Sequence, residues 1–392
     1  MQYGKSKGFK ILDLILLLIT LDGIAFPTPL GSLSISLIGS TIFILFLVKE
    51  TNFNFKKIYN FPLFLIVIWF SSISTFIGSS IVGNLFNITI SVTAALLISQ
   101  SSIKVENLSS AIKKVIIFHS ILLIFDFFFQ TPWGWELGQF KLLSSSSDFW
   151  RPSGLFAEPR NYSLAINCLY FMLIILKKSN LRDTILVLTT CAFSTSISGV
   201  IMSLSLFLYD IFQKNKQNFL NLFSLKSLNK KLLNLIILIS ILLLPSALYL
   251  LNHEFSERLS RPLGDNSFLG STAGSYFIMS KTIKESPIFG YGLGSKSTPK
   301  YDIENPETYK NIGDLHIQLS QTNSLVSLTS MGGLVALSIY IFYLFFGFGL
   351  TLKLLLYLLL LSCHGKVFYS LLFIIPSLNR YLILNNQAKK DF

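Results

Sequence analysis

Residues 184–212 read TILVLTTCAFSTSISGVIMSLSLFLYDIF, and how this stretch divides decides the topology of the whole chain. As one helix it is a single long, tilted crossing of a membrane. As two it is a hairpin, turning at Ser194-Thr195-Ser196-Ile197-Ser198-Gly199. That turn is small and rich in hydroxyls, the chemistry required where a helix breaks and its freed backbone groups need local partners. The flanking charges make the choice. Lys177, Lys178 and Arg182 precede the stretch; Lys214, Lys216, Lys226, Lys230 and Lys231 follow it. A hairpin keeps both groups in the cytoplasm, as the charge bias of membrane loops favours, whereas a single crossing sends five lysines outside. Two short helices, 184–198 and 199–212, are therefore expected.

The same alternation of apolar run and short basic loop fills the chain. Runs at 11–26, 33–48, 61–78, 81–98, 115–129, 162–176, 232–251, 325–350, 352–363 and 367–384 join the two above. Hydrophobic residues make up 52% of the chain and charged residues 13%, with a mean hydropathy of +0.61. Soluble domains carry about 25% charge, and apolar runs of this kind suit a hydrocarbon layer about 30 Å thick. The expectation is an all-α, polytopic bundle of about 11–12 spans. It forms one integral membrane domain over residues 1–392, lies in the inner membrane and has both termini cytoplasmic.

A formal net charge of +13 invites a nucleic-acid reading. Most Lys and Arg residues, however, sit in the short loops that the topology places inside, so no nucleic-acid partner is expected. All but one of the external ones fall in two long loops, 130–161 and 252–323. Charges kept outside against the bias need another explanation, and long loops in compact proteins are commonly functional. Cys168, Cys191 and Cys363 lie singly in apolar runs and read as reduced core thiols. His119, His253, His316 and His364 show no metal-ligand spacing, so no metal or other cofactor is expected. The first apolar run follows Lys5, Lys7 and Lys10 without a small-residue cleavage site, so no cleavable signal peptide is expected.

The first external loop ends in Trp150-Arg151-Pro152-Ser153-Gly154-Leu155-Phe156-Ala157-Glu158-Pro159-Arg160-Asn161. Two guanidinium groups suit a pyrophosphate, because a planar fork keeps its charge and binds oxyanions bidentately. Glu158 between them could act as a general base. The plainer alternative is that both arginines reach lipid headgroups while Glu158 caps a helix or forms a salt bridge. The second loop carries Arg258 and Arg261, then Ser286-Pro287-Ile288-Phe289-Gly290-Tyr291-Gly292-Leu293-Gly294. These glycines lack the Gly-Lys-Ser/Thr ending of a nucleotide-binding loop. Tyr276, Phe277, Ile278, Met279 and Ile283, near Lys281 and Lys284, fit an amphipathic helix on the membrane face or an ordinary packing helix. His316 and then Asn323 follow, with Gly332-Gly333 favouring close helix packing inside the next run.

In order and topology these elements resemble the O-antigen ligase/polymerase superfamily, which includes Wzy-type polymerases. The resemblance covers residues 150–340. Its first element is Arg151, Gly154, Phe156, Glu158 and Pro159, in the Glu-Pro form similar to exopolysaccharide polymerases, with Arg160 intervening before Asn161. Its second is Pro287 to Gly294, with Gly290, Gly292 and Gly294 as motif glycines. Its third is Asn323, Val326 and Gly333. Thr322 stands where ligases of this kind carry a histidine, which shifts weight toward polymerase.

The resemblance implies a GT-C-like, metal-independent glycosyltransferase working at the outer face of the inner membrane. It would join polyprenyl-pyrophosphate-linked oligosaccharide repeats into O-antigen, capsular or exopolysaccharide. Donor and acceptor are both lipid-linked glycans; membrane lipid, a chain-length regulator and a flippase of the same pathway are further expected partners. Arg151, Arg258 and Arg261, then Arg160, are the pyrophosphate candidates. Asn323 is a further binding candidate, Glu158 the base, and His316 its alternative. Two rivals remain: a ligase passing glycan to a lipid or protein, and a flippase or other transporter. A transporter would have to use the deeper polar residues His119 and Asp126.

Overall fold

The computed structural model describes residues 11–21, 25–28, 31–50, 61–76, 81–129, 152–156, 159–194, 196–214, 279, 282–292, 324–345, 373–378 and 381–382. Of these residues 86% are helical, so the all-α expectation holds. The elements are α1 (Ile11–Thr20), β1 (Ala25–Thr28), β2 (Gly31–Ser34), α2 (Ile35–Glu50), α3 (Phe61–Phe76), α4 (Ile81–Gln100), α5 (Val105–Phe129), α6 (Pro159–Ile175), α7 (Leu181–Phe193), α8 (Ile197–Lys214) and α9 (Ser324–Phe345). Among the described residues no helix is long and apolar enough to cross a membrane. The expected run 232–251 lies outside the described residues, as does 352–363. Run 367–384 is described only as helical turns at 373–378 and 381–382.

The stretch 184–212 divides into two helices, as expected, with the break at 194–196 and not between 198 and 199. Helix α7 opens on a capping box: the Asp183 amide donates to Asn180 Oδ1 at 2.8 Å, and the Asn180 amide donates to Asp183 Oδ2 at 3.2 Å. Helix α7 closes at Ser194, whose hydroxyl donates to the Cys191 carbonyl at 2.7 Å. Chain resumes as helix at Ile197, with Ser196 Oγ accepting from the Gly199 amide at 3.3 Å in the manner of an N-cap. The hydroxyls of the turn thus satisfy backbone groups that the break would leave open. Gly199 also admits α6: a Cβ there would stand 2.3 Å from Ser163 Cβ.

Other boundaries also differ from expectation. The runs 11–26 and 33–48 give shorter and later helices because a two-stranded antiparallel ribbon, β1–β2, lies between them, pairing Ala25 with Ser34 and Thr28 with Gly31. Helix α5 begins ten residues before the expected 115. Lys113 and Lys114 broke the apolar run in sequence, yet both have acidic partners: Lys113 Nζ lies 2.8 Å from Asp183, and Lys114 Nζ lies 2.5 Å from Asp13. Those pairs tie α5 to α7 and α1 at one end of the bundle.

Helix α1 packs on α2 and α5, α2 on α4, and α4 on α3, which carries α9. On the other side α5, α6, α7 and α8 pack on one another, with α6 at their centre. From Tyr162 to Leu176 the side chains of α6 and its end are almost all buried. Cys168 and Cys191 are buried free thiols in this part of the core.

Candidate functional site

Two motif segments fold onto the bundle, each at a different helix. The first is the turn Ser153–Phe156, closed by a hydrogen bond of 3.0 Å from the Phe156 amide to the Ser153 carbonyl. Gly154 has φ +57, a conformation in which a side chain is strained. The turn lies along α5 with Ser153, Gly154 and Phe156 buried. The amides of Ser153 and Gly154 both donate to Asp126 Oδ2, each at 2.9 Å. Phe156 sits between His119, with ring centroids 5.0 Å apart, and Tyr162, edge-on at 5.7 Å. His119 is itself fixed from α1, its Nε2 lying 2.8 Å from the Thr20 hydroxyl. One stripe of α5, from His119 to Asp126 seven positions later, therefore forms the bed of the turn.

The second segment is Ser286–Gly292, which docks into a break in α9. At Gly333 the helix is interrupted, with φ +68 and ψ −169. The freed carbonyls of Ser330 and Met331 accept from the amides of Tyr291 at 2.6 Å and Gly292 at 3.1 Å. In return the Leu334 amide donates to the Pro287 carbonyl at 2.7 Å. Backbones meet so closely that a Cβ on Gly290 would lie 2.6 Å from Gly333 N, and one on Gly333 would lie 2.1 Å from Ile288 O. From α3, Trp69 Nε1 donates to the Gly332 carbonyl at 2.8 Å, and its ring stacks on Phe289 with centroids 5.6 Å apart. Gly332 faces Ala336 and Phe70.

This geometry gives the motif glycines a physical role. The Tyr291 and Gly292 amides are bound to helix carbonyls, and the Gly290 amide donates to Ser286 O at 3.0 Å. These donors are therefore committed to backbone instead of cradling a phosphate. Gly290 and Gly292, with φ +64 and +80, let the chain follow the break. The structure thus joins the second sequence element to the third at Gly333.

Of the remaining candidates, Arg151, Glu158, Arg258, Arg261, Gly294, His316 and Asn323 lie outside the described residues. Arg160 is in the first turn of α6 by its backbone, and its side chain lies outside the description. Asp126 enters the sequence reading only for the transporter rival, and Trp69 not at all. An acid set within Phe125-Asp126-Phe127-Phe128-Phe129 was the available signal for the first; nothing in sequence marked the second. Among the described residues no three His, Cys, Asp or Glu side chains gather as metal ligands would. No protein-family profile matches the chain, and no curated protein matches it in sequence.

Proposed function

We propose that the protein is a polytopic membrane glycosyltransferase that polymerises polyprenyl-pyrophosphate-linked sugar repeats at the outer face of the inner membrane. The observation that carries this reading is the order of its three motif elements, together with the way the second is built into the helix break of the third. A loop chosen only to link spans has no need of three backbone hydrogen bonds to a broken helix.

The membrane part of the proposal draws on where apolar surface lies. Leu14, Leu45, Ile68, Phe86, Ile121, Phe128 and Leu208 are each at least half exposed, and they come from six helices. Asp13, His119, Asp126, Asp183 and Asp210 are buried instead. An apolar exterior around a core that holds buried acids and a histidine suits a hydrocarbon solvent and does not suit water.

In the proposed reaction an acceptor hydroxyl attacks the anomeric carbon, the bond to the pyrophosphate breaks, and negative charge grows on the departing group. Arg151, Arg258 and Arg261 stabilise that charge more in the transition state than in the ground state, which is what lowers a barrier. Glu158 takes the acceptor proton, with His316 as the alternative base. The transporter reading leaned on His119 and Asp126. Both contact the motif turn, and this favours the enzyme over that rival.

The test is polymerisation of a purified lipid-linked repeat by variants matched for folded protein. Arg151→Lys keeps charge and loses the fork, so turnover should fall; Arg151→Ala should fall further, on the order of 10²–10³ for one lost donor. Glu158→Gln should also slow the reaction. Full turnover by Arg151→Ala would remove this arginine from the mechanism, and no polymer from the parent protein would remove the polymerase.

A further inference from the structure

We propose that Asp126 is a positioning residue for this reaction, holding the turn Ser153–Phe156, which Arg151 and Glu158 flank in sequence. The inference rests on the polymerase reading above. Its basis is geometric: one fully buried carboxylate oxygen takes two consecutive amides, Ser153 and Gly154, at 2.9 Å each. Charge-assisted bonds of this kind are roughly twice as strong as neutral ones. Without that acceptor two buried backbone donors lose their partner, and the turn must move to find another.

Phe156 is gripped between the His119 and Tyr162 rings at the far end of the turn, so Asp126 and the aromatic pair fix opposite ends of a four-residue unit. Arg151 is two residues before Ser153, and Glu158 is two after Phe156. Two residues of chain reach at most about 7 Å, so the chain tethers each candidate group within that reach of this unit. Asp126 touches no reacting atom in this scheme; it acts through its neighbours. Transition-state contacts are sensitive to such placement, since a misplacement near 1 Å costs on the order of 10²-fold in rate.

Asp126→Asn keeps one oxygen that can accept the amides and removes the charge; Asp126→Ala removes both. With the full-length protein matched for folded material, Asp126→Ala should lower kcat about 10–100-fold. Its KM for the lipid-linked repeat should change far less, and Asp126→Asn should fall between it and the parent. In an Arg151→Lys background the further loss from either variant should shrink, because residues acting through one another are not additive. A second readout is independent of activity: alkylation of Leu155→Cys should rise in both Asp126 variants as the turn is released. If Asp126→Ala does not fold, Asp126→Asn carries the same test.

Equal kcat in Asp126→Asn and the parent, with unchanged alkylation of Leu155→Cys, would overturn the inference while leaving the polymerase standing. So would a full additive loss in the Arg151→Lys background, which marks a merely structural acid. A parent protein that makes no polymer overturns the polymerase first. If alkylation still rises there, the hydrogen bonds are real and the proposed role in the reaction falls.

Discussion

Gly333 and Gly154 both have positive φ, yet they predict different outcomes when replaced. At Gly154 the nearest atoms to an added Cβ stand 3.6 Å away, so Gly154→Ala adds backbone strain alone, about 1 kcal/mol. At Gly333 the added carbon would meet Ile288 O at 2.1 Å, and the loop would have to lift from the helix. Gly333→Ala should therefore cost about 3 kcal/mol or more, the sum of strain and lost packing. Thermal unfolding in detergent should rank the two in that order, and equal losses would argue against the interlock. Trp69→Phe is a milder probe of the same contact. It keeps an aromatic ring to stack on Phe289 and leaves the Gly332 carbonyl without its indole donor, at a cost of about 1 kcal/mol.

Among the elements, the division of 184–212 into α7 and α8 was the most legible, because the small, hydroxyl-rich turn chemistry pointed to Ser194–Gly199. Elsewhere a single signal misled. Charge at Lys113 and Lys114 hid ten residues of α5, since the acids that pair with them lie far away in sequence at Asp183 and Asp13. The pair Gly332-Gly333 read as close helix packing, which is true of Gly332 against Phe70 of α3. Its neighbour breaks the helix instead, and no local pattern distinguishes two adjacent glycines with opposite roles. For the site, the motif residues were legible while their supports were not. Asp126 and Trp69 act through contacts made only after folding, by residues 27 and 263 positions away.

At the scale of the whole molecule, the proposed topology predicts which surfaces face which compartment. In intact cells a membrane-impermeant thiol reagent added from outside should label Ser145→Cys and Ser297→Cys and should spare Gln217→Cys. Labelling at position 217 would sink the assignment of the α7–α8 hairpin, and with it the placing of the later loop, 252–323, outside. The same topology places the Asp13–Lys114 and Asp183–Lys113 pairs toward the cytoplasmic end, where they join three helices. Lys114→Met should weaken the protein by removing the partner of a buried acid, tempered because the lysine keeps about a third of its side chain in solvent. Denaturation followed in detergent should register that loss without an equal loss in turnover per folded molecule.

The docking of Ser286–Gly292 into α9 has a consequence for anyone building hybrids from related chains. Tyr291, Gly292 and Pro287 complete the backbone of Ser330, Met331 and Leu334, so neither partner carries a finished hydrogen-bond set alone. A graft that brings a foreign loop and keeps the resident helix joins two halves shaped for other mates. The transplantable module is the pair, 286–292 with 330–334, moved together.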